Sequence, residues 1–143
     1  MTESSTPEVE SAEPSESADR KILRGILKSL RPHQWVKNLF VLAPLFFSKS
    51  FLEPNLAALE LAAALCFCFG AGSVYLMNDI FDVEKDRNHP VKKNRPIASR
   101  QLPISVARVA AAVLALGSIG SAFLIDVRTG GVLLSYLVMN FAY

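Results

Sequence analysis

The sequence predicts an all-α fold, a polytopic bundle of transmembrane helices, and three observations predict it. Hydrophobic residues make up 51% of the 143 positions and are gathered into long blocks. Several blocks approach the roughly 20 residues that a helix needs to cross a bilayer. The basic residues fall in the segments between blocks, in the asymmetric pattern that orients helices in membranes.

The first nineteen residues stand apart. They hold six of the thirteen acids (Glu3, Glu8, Glu10, Glu13, Glu16, Asp19) and none of the fifteen Lys and Arg, so the rest of the chain carries about +8 behind a formal net charge of +2. This Ser-, Glu- and Pro-rich stretch buries too little apolar surface to offset its ordering entropy, and reads as a disordered acidic tail over 1–19. It lacks the basic-then-apolar layout of a cleavable signal. The membrane domain is expected over 20–143.

Residues 20–31 alternate basic and apolar positions at roughly helical spacing, as in an interfacial helix on an anionic leaflet. Pro32 opens a new element, and Trp35 suits the headgroup belt. A first span is predicted at about 35–51, with Lys37 near its start and Pro44 set to kink it. Lys49 to Asn55 reads as a short turn. A second span follows at about 56–81, where Gly70-Ala71-Gly72-Ser73 permits close helix approach. Cys66 and Cys68 lie within it, two positions apart and so on different helix faces; they read as packing residues with no mutual disulfide. Residues 83–103 form a polar loop with three prolines. A third span is predicted at about 104–125, a turn at 126–130, and a fourth span from 131, only thirteen residues long at Tyr143. On length the chain is expected to end inside a helix.

Six bases lie in Arg20–Lys37 and six more in Lys85–Arg100, two spans apart, while the intervening turns carry one base and one acid each (Lys49 with Glu53, Asp126 with Arg128). The positive-inside rule therefore places the N-terminus and the 83–103 loop in the cytoplasm of a multi-pass cell-membrane protein. No nucleic-acid partner is expected, and self-association stays open.

Asn78-Asp79-Ile-Phe-Asp82-Val-Glu84-Lys85-Asp86 carries the chemistry. At about 100° per residue, Asn78, Asp79, Asp82 and Asp86 share roughly one third of a helix circumference. Acids gathered at a membrane boundary are a functional-site hypothesis by default, and hard oxygen ligands suit Mg²⁺. Lys85, Arg87, Lys92, Lys93, Arg95 and Arg100 follow at once. Metal-holding oxygens beside cationic donors match a diphosphate. A plainer reading weighs against this: the bases orient the loop, and the acids pair with them at i, i+3 or i+4, as Asp82 with Lys85. His33 and His89 read as isolated polar residues, and Tyr75 either packs in the bundle or lines the pocket.

These residues resemble the UbiA superfamily of intramembrane transferases, whose first aspartate-rich motif, N-D-x-x-D-x-x-x-D, is complete here from Asn78 to Asp86. The blocks Arg31-Pro-His-Gln-Trp-Val-Lys-Asn38 and Tyr75 through Ala98 are most similar to the branch that transfers phosphoribosyl groups to polyprenyl (decaprenyl) phosphate for cell-wall arabinan. The resemblance covers about residues 20–143. It implies a donor, phosphoribosyl diphosphate, and an acceptor, a polyprenyl phosphate. It implies Asn78 and Asp82 as Mg²⁺ ligands helped by Asp79, with Lys37, Tyr75, Lys92 and Arg95 around the donor and Asp86 as the catalytic member. It also implies a bundle of about nine helices with a second acidic motif further along, so the chain alone is expected to be inactive. Arg100 departs from the family pattern, in which Gly is frequent at this point. The rival readings are a prenyltransferase using a prenyl diphosphate and an aromatic acceptor, and a cation-binding membrane protein without chemistry.

Overall fold

Residues 18–42 and 52–143 are described by a computed structural model. Helix α1 (Ala18–Ser29) is followed by a 3₁₀ segment (Pro32–Leu42), then α2 (Pro54–Phe81), the short α3 (Val83–Arg87), a 3₁₀ turn (Lys92–Asn94), α4 (Ile104–Ile125) and α5 (Val127–Ala142). The described residues contain no strand, as the all-α expectation requires. The acidic tail up to residue 17, the kink at Pro44 and residues 49–51 of the turn at 49–55 lie outside the described residues.

The second and third predicted spans agree with α2 and α4, the two described helices long and apolar enough to cross a membrane. They form the main interface of the bundle. Pro54 occupies the first turn of α2, where its missing N–H costs nothing. Along α4, Val109, Val113, Leu116 and Leu124 are each more than half exposed. An apolar face of that extent suits lipid or another helix, not water.

Two expectations are corrected. Residues 32–42, expected to begin an α-helical span, form a 3₁₀ run of eleven residues, well beyond the usual three or four. The sequence feature that works against an α-helical ladder here is Pro44, which has no N–H to offer the Phe40 carbonyl. The predicted turn at 126–130 is instead the first turn of α5. Asp126 caps it, its Oδ2 accepting from the backbone N–H groups of Arg128 (2.9 Å) and Thr129 (3.4 Å).

Small residues on α2 set the packing. A Cβ at Gly72 would lie 2.6 Å from Leu30 Cδ2, so any larger residue would force the Leu30 side chain to shift where the end of α1 rests on α2. A Cβ at Gly70 would lie 3.1 Å from Leu133 Cδ1 on α5. One core gathers Leu30, Leu76, Val83, Ile97, Leu102 and Ala107; the other gathers Cys66, Val74, Ala122, Leu133 and Leu137. Both cysteines are free and buried, as expected of packing residues. Trp35 ties the 3₁₀ segment in place, donating to the Leu30 carbonyl at 3.1 Å and meeting Phe69 edge-on at 5.7 Å.

Candidate functional site

The close seat of Leu30 on Gly72 delivers the next residue, Arg31, to the end of α2. Arg31 has φ 50°, a left-handed conformation of the kind that terminates helices, and Pro32 then starts the next element. From there its Nη2 donates to Asp79 Oδ1 at 2.7 Å, and its guanidinium carbon lies 5.0 Å from the Tyr75 ring centre. Tyr75 is thus beside the site through Arg31.

Asp79 is 3% exposed, and a carboxylate so far from water requires charged partners. It has two, because Arg95 Nη1 reaches the same Oδ1 at 3.1 Å. That nitrogen also donates to Asp86 Oδ2 at 2.6 Å. Arg31, Asp79, Arg95 and Asp86 therefore form one alternating chain of charge. It joins α1, α2, α3 and the following loop, although its members span residues 31 to 95.

The expected single stripe of acids divides in two. Asp82 lies between α2 and α3, and burial sorts the carboxylates. Asp79 and Asp86 turn inward to the arginines. Asn78 is exposed and has no side-chain partner among the described residues, and Asp82 is half exposed, with only Lys85 nearby at 3.5 Å. Acid–base pairing therefore accounts for Asp79 and Asp86, and for Glu84, which accepts from Arg87 Nη1 at 2.9 Å. It leaves the oxygens of Asn78 and Asp82 open. These two, at i and i+4, are hard donors of the type Mg²⁺ takes, so the residue chemistry fits that ion. Among the described residues no three His, Cys, Asp or Glu side chains converge, so a site here draws on the Asn78 amide oxygen.

Beside the charge chain opens a cleft of about 400 Å³. Lys28, Arg31, Lys92 and Arg95 line it, against Asp79 as its only acid. Lys92 and Arg95, expected around the donor, both line this cleft. Lys37 is exposed on the 3₁₀ segment and does not line this cleft. Sequence reasoning missed Lys28 and Arg31 as site residues and took His33 for an isolated polar residue, yet His33 also lines the cleft. The available signal was Arg31 itself: a base directly before a helix-starting proline, at the same membrane face as the acids.

Four cations around a cleft with one buried, already neutralised acid make an anion site, of a size for a phosphorylated metabolite. Comparison with known proteins identifies the family. The profile of the UbiA prenyltransferase family matches residues 39–143. A decaprenyl-phosphate phosphoribosyltransferase of Mycolicibacterium smegmatis is 38% identical over 94% of this chain and 43% of its own length. One from Corynebacterium glutamicum is 43% identical over 83% of this chain and 36% of its own. One from Mycobacterium tuberculosis is 38% identical over 85% and 42%. The chain thus spans about two fifths of the length of these relatives.

Proposed function

This chain belongs to the UbiA prenyltransferase family, a family of membrane transferases, and from that premise we propose that it forms the donor-binding part of a phosphoribosyltransferase. The reaction moves a 5-phosphoribosyl group from phosphoribosyl diphosphate to a polyprenyl (decaprenyl) phosphate, in the synthesis of cell-wall arabinan precursors. The relatives' names support the substrates. The observation that carries the reading is the cleft of Lys28, Arg31, Lys92 and Arg95 beside the Asn78–Asp86 motif.

The donor's diphosphate enters this cleft. Lys28 and Lys92, which have no acid partner among the described residues, supply unspent positive charge. Arg31 and Arg95 supply planar donors that are already fixed, since Asp79 and Asp86 hold them by short ion pairs. Cations oriented before the reaction stabilise the charge that grows on a departing diphosphate, with no reorganisation at that moment. Asn78 and Asp82, with Asp79 behind them, would hold Mg²⁺, which neutralises phosphate oxygens when bound. Tyr75 packs its ring beside the Arg31 guanidinium. Asp86 acts on the reaction through Arg95, and Lys37, outside the cleft, makes no contact with the diphosphate there. The acceptor phosphate attacks the anomeric carbon as diphosphate leaves, so positioning and charge stabilisation carry the catalysis.

The setting is the cell membrane, crossed several times, with the N-terminus and the 83–103 loop in the cytoplasm. The distribution of bases supports this orientation. The chain spans about two fifths of the length of the relatives it matches, and we propose that it is inactive by itself.

Titrating the intact protein with phosphoribosyl diphosphate and with a prenyl diphosphate, each with Mg²⁺, tests the reading. Binding and turnover of the phosphoribosyl donor are expected. Turnover of the prenyl donor alone would make the protein an aromatic prenyltransferase. Indifference to both, with cation binding retained, would make it non-catalytic.

A further inference from the structure

The loop between α3 and α4 borders a second basic cavity, which shares no lining residue with the cleft. Its volume is about 540 Å³. Arg87, Arg100 and Ser105 give it a polar rim, and Ile97, Leu102 and Ile104 an apolar floor. No acid lines it. Arg87 is partly engaged, donating to Glu84 Oε1 at 2.9 Å and to the Ala98 carbonyl at 3.4 Å. Arg100 is exposed and has no side-chain partner among the described residues. It also sits at φ 64°, in the left-handed region that favours Gly over any residue with a side chain. The chain thus holds an unpaired guanidinium beside this cavity on a backbone that would prefer to have none.

The cavity lies at the first turn of α4, just before the apolar stretch that makes α4 long enough to span. Its depth is therefore that of phospholipid headgroups. The first-turn N–H groups of α4 have no partner within the helix. Cationic rim over apolar floor at that depth complements a phosphodiester whose chains continue into the bilayer. We propose that this cavity binds the headgroup phosphate of an anionic phospholipid, with Arg100 as its principal contact and Arg87 and Ser105 beside it. The inference rests on α4 spanning the membrane and is independent of the transfer reaction.

The test counts phosphatidylglycerol retained by the intact protein, by native mass spectrometry after extraction from vesicles of equal phosphatidylglycerol and phosphatidylcholine. Arg100→Gly suits the backbone, so the variant folds while losing only the guanidinium. Retained phosphatidylglycerol should fall about five-fold, the effect of one basic residue at a charged surface, with phosphatidylcholine unchanged. Arg100→Lys should restore most of it. Equal retention by Arg100→Gly would overturn the proposal. So would displacement of the lipid by millimolar inorganic phosphate, which would mark a site for the free ion. Phosphoribosyl diphosphate affinity is read on the same samples and should not change with Arg100→Gly. A parallel loss would merge this cavity with the cleft and overturn its independence. Failure of the unmodified protein to bind that donor would count against the proposed reaction while leaving the lipid counts interpretable.

Discussion

Arg31 Nη2 stands 2.7 Å from Asp79 Oδ1, joining the end of the amphipathic first helix to a carboxylate that is 3% exposed and forty-eight positions away. The contact makes the acid motif depend on a segment with no acid-motif residue of its own. Removing Arg31 strips a buried charge of its shortest partner, although Arg95 remains at 3.1 Å. Arg31→Met is therefore expected to destabilise the intact protein by about 2 kcal/mol, below the cost of a fully orphaned buried charge because Arg31 is itself a quarter exposed. Thermal unfolding in detergent measures this. Asp79→Asn should cost a similar amount and the double variant less than the sum, since both remove one contact. Additive losses would show that the pair is not coupled.

The seat of Leu30 on Gly72 sets where Arg31 begins. Gly72→Val forces two methyl groups into a space where a Cβ alone would be 2.6 Å from Leu30 Cδ2. The expected loss is about 1–3 kcal/mol, with weaker donor binding because α1 is displaced. Leu30→Ala empties that space, so Gly72→Val with Leu30→Ala should recover donor affinity relative to Gly72→Val alone. Without recovery, the Gly72 contact does not position Arg31.

At the other end of the bundle, Asp126 accepts two N–H groups at the start of α5. Asp126→Ala should lower stability by about 1 kcal/mol, and Asp126→Ser should restore most of it. Phosphoribosyl diphosphate affinity should stay constant, because this cap is at the opposite end of α4 from the acid motif.

The long elements were legible because length and hydropathy alone specify them: the predicted 56–81 and 104–125 are α2 and α4 within two residues. The motif was legible as a string of oxygens and cations. Its partition was not. The helical i to i−4 bonds run on from Asn78 to Asp82 and from Asp82 to Asp86, so Asp79 and Asp86 stay about 20° apart on one side of the stripe and Asn78 and Asp82 about 40° apart on the other. That the first pair turns inward depends on the arginines, which helical periodicity does not show. Arg31 and Arg95 act together across sixty-four positions, a pairing that periodicity cannot show. Asp126 carried its own signal, a capping-type acid six positions before the apolar run that begins at Val132, which the Gly130-Gly131 pair obscured by resembling a turn.

The division of the acids makes Asp82 and Asp86 behave oppositely on replacement. Asp82 is half exposed and 3.5 Å from a lysine that is 86% exposed, a contact of little energetic weight. Asp82→Asn should leave the unfolding temperature unchanged and reduce Mg²⁺-dependent phosphoribosyl diphosphate binding more than ten-fold, since an exposed oxygen without a structural partner is free to serve a metal. Asp86 is 2% exposed and holds Arg95 at 2.6 Å. Asp86→Asn should lower stability by about 2 kcal/mol. Its effect on donor binding should be as large without added Mg²⁺ as with it, because it acts through the position of Arg95. Calorimetric titration of both variants with and without Mg²⁺, beside their unfolding curves, separates the two roles. If Asp82→Asn bound the donor normally at saturating Mg²⁺, the exposed pair of oxygens would have no part in holding the metal.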